Sequence, residues 1–203
     1  MSAIKCECGM LYASDVANDR KLHRREHDEW ANGVRGNAPG AQVGSHGEYL
    51  ITVVPPNAPA RLREVAGRLG RIGNRETRYD FGVYHYRDPR GLREHSVHAL
   101  LAWHGERAIG ILVFDRRDEE VYIRWDDEPG RTYRVRPAPN PRWSVTYAWV
   151  HSAHRKKGIA GALFHAAADF ARVPINELGL LGPFTDDGEA LVRNHFPEGF
   201  WRI

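Results

Sequence analysis

Val145-Thr-Tyr-Ala-Trp-Val-His-Ser-Ala-His-Arg-Lys-Lys-Gly-Ile-Ala-Gly-Ala-Leu-Phe164 is the stretch from which the rest of the chain can be read. Its first six residues are β-branched, aromatic or small, the composition of a strand. From Gly161 to Ala171 good helix formers dominate, and a helix is expected. Between the two lies Arg155-Lys-Lys-Gly-Ile-Ala160. A strand, a basic loop with a glycine and a helix start make a device for holding phosphate. The first N–H groups of a helix have no partner within it, and the helix dipole turns its positive end to the same place. Gly158 and Ala160 are small, so an anion can come close to the main chain. Arg155, Lys156 and Lys157 add charge.

Outward from this point the chain reads as strands and helices in a definite order. Residues 48–54 are strand-like and end at Pro55-Pro56. Residues 59–75 carry Leu62, Val65, Ala66, Leu69 and Ile72, one face of a 3.6-period helix. Residues 79–86 alternate as a strand does. Residues 98–103 and 108–114 form a hairpin around His104-Gly-Glu-Arg107. A second hairpin is expected from 121–125 and 132–135, and Pro137-Ala-Pro-Asn-Pro141 should break the pattern before the 143–150 strand. The tail reads as a strand at 177–181, a short helix at 188–195 and a last strand at 200–203. Antiparallel strands followed by β-α-β-α-β predict a mixed α/β domain around one central sheet.

The N-terminus has a different character. The two cysteines, Cys6 and Cys8, are one residue apart, a spacing awkward for a disulfide. His23 follows Cys8 after fourteen residues, and His27 is one helical turn further on. Two thiolates near a turn and two imidazoles on one helix face are the ligand order of a Cys2His2 zinc site. Cys-x-Cys is tighter than the usual spacing. The chain divides on this reading into a finger at 1–32, a Gly- and Asn-rich linker at 33–47 and a mixed α/β domain at 48–203.

Composition excludes several classes. There is no apolar run of membrane-spanning length. The first residues lack a signal peptide's apolar stretch, so an intracellular, cytoplasmic protein is expected. The formal net charge of +3 is mild and the charges are well mixed, which argues against direct nucleic-acid binding. A single finger also offers little base-reading surface.

The Arg155–Ala160 loop after a long strand resembles the Q/R-x-x-G-x-G/A motif of GNAT acetyltransferases. With Cys6-Glu-Cys-Gly-Met-Leu-Tyr12, His23 and His27 ahead of it, the whole resembles the Eco-type cohesin acetyltransferases, in which a C-x2-C-G-M-x-Y…H-x3-H finger precedes a GNAT domain. Trp149-Val150, Arg155-Lys-Lys157, Ile159-Ala160, Glu177-Leu178 and Pro183-Phe-Thr-Asp-Asp-Gly188 are similar to that family's W-V, R-K-K, I-A, E-I and D-P-T-P-D-G. The resemblance implies a GNAT fold, acetyl-CoA as donor, structural zinc, and a protein lysine as acceptor. A small amine, or binding without turnover, is the alternative. It implies that Trp149 and Val150, with the residues from Arg155 through Ala160 (Lys156, Lys157, Gly158 and Ile159 among them), contact the donor. It leaves the proton acceptor open. The family's aspartate falls at Gly182 and one residue is inserted at Phe184, so Asp186 or Asp187 would supply the carboxylate, with Glu177 behind them. Thr146 stands where the family often has serine. His195, four residues before Gly199-Phe200, matches the place of a tyrosine that acts as general acid toward the thiolate in many GNAT enzymes.

Overall fold

The computed structural model describes residues 3–36, 40–78, 84–127 and 132–203. A short antiparallel hairpin, β1 (Ala3–Lys5) and β2 (Leu11–Ala13), leads into helix α1 (Ala17–Asn32). The main sheet follows: β3 (Val34–Arg35), β4 (Ala41–His46), β5 (Tyr49–Val54), β6 (His98–His104), β7 (Arg107–Arg124), β8 (Arg136–Val150), β9 (Gly179–Leu180) and β10 (Gly199–Arg202). Its spatial order is β10-β9-β8-β7-β6-β5-β4, with β3 paired to β7. Pairing is antiparallel from β4 to β8 and parallel from β8 through β9 to β10. The mixed α/β fold around one sheet is as expected.

Alternation along the strands builds two cores. On β6, Leu100 and Ala102 face one side, and Leu101 and Trp103 face the other. Helix α2 (Ala60–Thr77) covers the second side with Leu62, Val65, Leu69 and Ile72, the face its periodicity marks out. Leu69 is fully buried, so its truncation to alanine removes about 2–5 kcal/mol. Helix α4 (Ile159–Ala171) covers the first side with Ile159, Leu163, Phe164 and Ala167. Close packing of α2 on the sheet depends on Gly73: a Cβ there would lie 2.1 Å from the Tyr147 hydroxyl and 2.8 Å from the Trp149 ring.

The structure corrects several expectations. The segment 33–47 is no free linker. β3 pairs with β7 and β4 pairs with β5, so both belong to the main sheet. The 121–125/132–135 hairpin does not form: β7 pairs with β8 as far as Glu120↔Arg136, and its last residues, Val121–Arg124, pair with β10 instead. The proline run 137–141 lies inside β8, where the ladder jumps from Arg117↔Arg142 to Glu119↔Pro137. Prolines cannot donate to a ladder, and the strand accommodates them in this irregularity. Of the strand expected at 79–86, residues 79–83 lie outside the described residues, and 84–86 form no strand. Helix α3 (Pro89–Glu94), capped by Asp88 accepting from the Gly91 N–H, was not anticipated. The tail strand is two residues, β9, preceded by a 3-10 turn at Ile175–Glu177, and helix α5 starts earlier than expected (Asp186–His195).

The N-terminal unit is docked on the core. Glu26 and Glu29 of α1 are buried and face arginines of α2. Arg75 Nη2 is 2.6 Å from Glu26, and Arg68 Nε donates to Glu29 at 3.0 Å. Arg107 of β7 binds Asp28 through both Nη atoms, at 3.0 and 3.1 Å. Burial pushes the Glu26 pKa up, but Arg75, with Arg25 and Arg71 beside it, more than offsets this and holds it below the usual carboxylate range. Among the described residues, no helix is long and apolar enough to cross a membrane.

Candidate active site

β8 ends at Val150, passes through a 3-10 turn at Ser152–His154 and enters α4. Lys156 (φ 61°) and Gly158 (φ 77°) both take left-handed backbone. Gly158 is the N-cap, and the first helical bond runs from the Ala162 N–H to its carbonyl at 3.0 Å. The N–H groups of Ile159, Ala160 and Gly161 therefore precede any acceptor within α4, at the positive end of its dipole. Ile159 is buried and anchors this turn to the core. The main chain of the motif thus has the arrangement that an anion needs.

Its side chains are disposed differently. Arg155 Nε donates to the Val150 carbonyl at 2.9 Å, and its guanidinium pairs with Glu76 at the end of α2. Glu76 also accepts from Trp149 Nε1 at 3.1 Å. Lys156 pairs with Asp187. Arg155 and Lys156 thus brace the loop against α2 and α5, while Lys157 has an exposed side chain beside the helix start.

The sheet opens next to this turn. β9 pairs with β8 only at Ser144 and Val145, and the Leu181 N–H donates to the Val145 carbonyl at 2.9 Å. Beyond that point β9 ends while β8 continues. Opposite β7 the register passes from Val113↔Tyr147 to Phe114↔Val145, which leaves Thr146 as the extra residue of a bulge. Thr146 Oγ1 donates to the Val113 carbonyl at 3.3 Å. Trp149 and Val150 are buried, yet Ala148 between them and the bulge is exposed in the middle of a central strand. Its exposure shows that the sheet face is uncovered there, beside the free edge of β8.

Of the proposed proton carriers, Asp186 and Asp187 lie in the first turn of α5. Thr185 caps that helix by accepting from the Gly188 N–H at 3.2 Å. Both carboxylates are exposed. The hydrogen bond and charge of Lys156 hold the Asp187 pKa below its ordinary value. A carboxylate so placed is a poor proton acceptor. Glu177 is bound to Arg142 at 2.7 Å. His195 lies against the first turn of α4, where a Cβ on Gly161 would come 3.2 Å from its Nε2. Burial first, and then the facing His165, lower its pKa, so the imidazole is neutral at pH 7. His151 at the loop's start is buried: Nε2 donates to the Trp30 carbonyl of α1 at 2.8 Å, and Nδ1 accepts from the Ala153 N–H at 3.2 Å. Sequence reasoning missed Glu76, which sits 79 residues before the arginine it holds; no local pattern could have paired them.

The finger residues do converge. Cys6, Cys8, His23 and His27 each offer a ligand atom, and these atoms all lie within 4.8 Å of one another. Cys6 Sγ is 3.3 Å from His27 Nδ1. Gly9, at φ 81°, turns the chain so that both sulfurs of the tight Cys-x-Cys pair reach the cluster. His23 Nε2 is buried with no hydrogen-bond partner. A buried ring nitrogen left in that state is costly unless a cation meets it. The donor set fits a four-coordinate zinc ion.

A mixed sheet parted between two parallel strands, with the unpaired main-chain N–H groups of a helix start beside the gap, suits an acyltransferase that draws on a diphosphate-bearing thioester. Residues 68–180, more than half of the chain, match the acetyltransferase (GNAT) family, and the chain belongs to it. Among solved structures, the xEco2 acetyltransferase domain bound to a K105-CoA conjugate superposes with a TM-score of 0.64 at 16% identity, covering 80% of this chain and 96% of that one. A second structure of the xEco2 domain gives 0.62 at 16%, covering 80% and 95%. A ribosomal-protein-alanine N-acetyltransferase from Brucella melitensis biovar Abortus 2308 gives 0.47 at 21%, covering 72% and 89%. Among curated proteins, none matches this sequence.

Proposed function

We propose that this GNAT acetyltransferase takes the acetyl group of acetyl-CoA to a lysine side chain of a protein, inside the cell, and that its finger holds a structural zinc ion. The observation that carries the reading is the exposed Ala148 on the free edge of β8, beside the Thr146 bulge and the open start of α4. The xEco2 domain, whose fold this chain shares, is recorded with a K105-CoA conjugate, which favours a lysine acceptor. A groove of about 360 Å³ runs along α2 past Gly70 and Asn74, walled by Tyr84 and Tyr86.

Acetyl-CoA supplies an activated acyl group whose carbonyl becomes negative and whose thiolate must leave. The N–H groups of Ile159, Ala160 and Gly161 would hold its diphosphate, with Lys157 beside them. The free edge of β8 from Thr146 to Val150 would align the pantetheine arm and polarise the carbonyl. The neutral His195 imidazole could serve as an acid toward sulfur only after taking up the proton that the amine gives up. Glu76 would keep Arg155 and Trp149 in place. The zinc ion would fix the β1–β2 turn against α1 through Cys6, Cys8, His23 and His27.

The test is the intact mass of lysine-bearing proteins and of small amines after incubation with the enzyme and acetyl-CoA. Transfer of one or more acetyl groups to protein lysines is expected. Transfer confined to small amines would overturn the acceptor class, and failure of acetyl-CoA to bind would overturn the donor.

A further inference from the structure

The donor loop is clamped from outside its own motif. β4 ends at His46, and its imidazole Nε2 lies 2.9 Å from the Lys157 carbonyl. A carbonyl only accepts, so Nε2 carries the proton. The same nitrogen is 2.7 Å from the position a Cβ on Gly158 would occupy. His46 therefore stands over the glycine whose openness the cradle depends on. Three residues further on, across the β4–β5 turn, the Tyr49 hydroxyl is 3.2 Å from Nδ1 of His154 at the other end of the loop. One hairpin thus grips the loop at two points. The loop's own Arg155 and Lys156 are already paired with Glu76 and Asp187.

We infer that His46 is a binding residue for the diphosphate of the acyl donor. Its Nε2–H is poised at the rim of the cradle formed by Ile159, Ala160 and Gly161. A phosphate oxygen seated there would share that proton with the Lys157 carbonyl. The imidazole stands in for the committed guanidinium of Arg155 as the side-chain donor next to the anion. His46 lies outside the family-matched residues 68–180, 111 residues before Lys157. The inference rests on the acetyl-CoA reading above.

Two acetyl donors separate binding of the diphosphate from mere support of the loop: acetyl-CoA, and acetyl-N-acetylcysteamine, which has the same thioester and no phosphate. For His46→Ala, the ratio of kcat/KM with acetyl-CoA to kcat/KM with the short thioester should fall about tenfold, the worth of one hydrogen bond to a charged group. The Kd for acetyl-CoA by calorimetry should weaken by a similar factor. An unchanged ratio, whether both rates fall together or neither falls, overturns the inference. So does tighter binding of acetyl-CoA, which would make His46 an obstruction. Should His46→Ala fail to fold, His46→Leu keeps the bulk, removes the donor and is read in the same way. Wild-type protein that does not bind acetyl-CoA would overturn the function itself, a result distinct from wild type that binds beside an unaffected variant.

Discussion

Gly158 carries two constraints at one residue. Its φ of 77° is in the region where a side chain costs roughly 1–2 kcal/mol, and a Cβ would press on His46. Gly158→Glu should therefore abolish acetyl-CoA binding, by charge as well as bulk, while the far-UV spectrum stays native. A thermal shift with acetyl-CoA equal to that of wild type would contradict the placement. Asp187 makes the opposite case. It is fully exposed, and its pKa is lowered by Lys156, so it stays ionised throughout the neutral range and has little pull on a proton. A general base contributes about 10²–10⁴ in rate. Asp187→Asn is expected to lose far less than a hundredfold in kcat and to leave the shape of the pH–rate profile intact. A loss in that range, with the basic limb altered, would restore Asp187 as the base.

Among the elements, α1 and α2 meet through charges that are largely out of water. Truncating Glu29 leaves Arg68 without its main partner in a half-buried setting. Glu29→Ala should cost about 3–5 kcal/mol, read as a drop in the urea midpoint. Metal analysis should find one zinc per chain, and chelation should speed hydrogen exchange across β1, β2 and α1. Metal well below one per chain would refute the finger. The same elements show what could be read in advance. α2 was legible because Leu62, Val65, Leu69 and Ile72 repeat at the helical period, and α4 because good helix formers dominate from Gly161 to Ala171. β4 was not: Ala-Gln-Val-Gly-Ser-His is an edge strand whose one sizeable apolar residue, Val43, is only half-buried, so no alternation marks it. At the site the strand–loop–helix junction was legible, since Gly158 stands where the turn takes left-handed backbone. His46 and Glu76 reach it through tertiary packing alone, which leaves no local trace.

For the whole molecule, the depressed imidazoles set the acid limit. Burial lowers the pKa of His98, which is packed among Phe114, Trp143 and Phe170. Burial, then Lys157 and neighbouring histidines, lower that of His154, and His195 moves the same way. A histidine whose folded pKa lies below its unfolded value, about 6.5, binds more protons unfolded. Stability should then be intact above pH 7 and decline as pH falls below about 6.5. The melting temperature is expected to drop between pH 7 and 5, and less steeply in His98→Gln. A flat profile would show that these rings do not titrate with folding.

Arg75 and Glu76 are adjacent on α2, one gripping the finger helix and the other the donor loop, while His151 ties the Trp30 carbonyl to the start of that loop. An amputation before Gly33, made to obtain a minimal enzyme, would thus strip counter-charges from Arg68 and Arg75 and leave an interior imidazole with an unanswered proton. The stump should be less soluble and bind acetyl-CoA more loosely, although every residue proposed to touch that thioester would still be there.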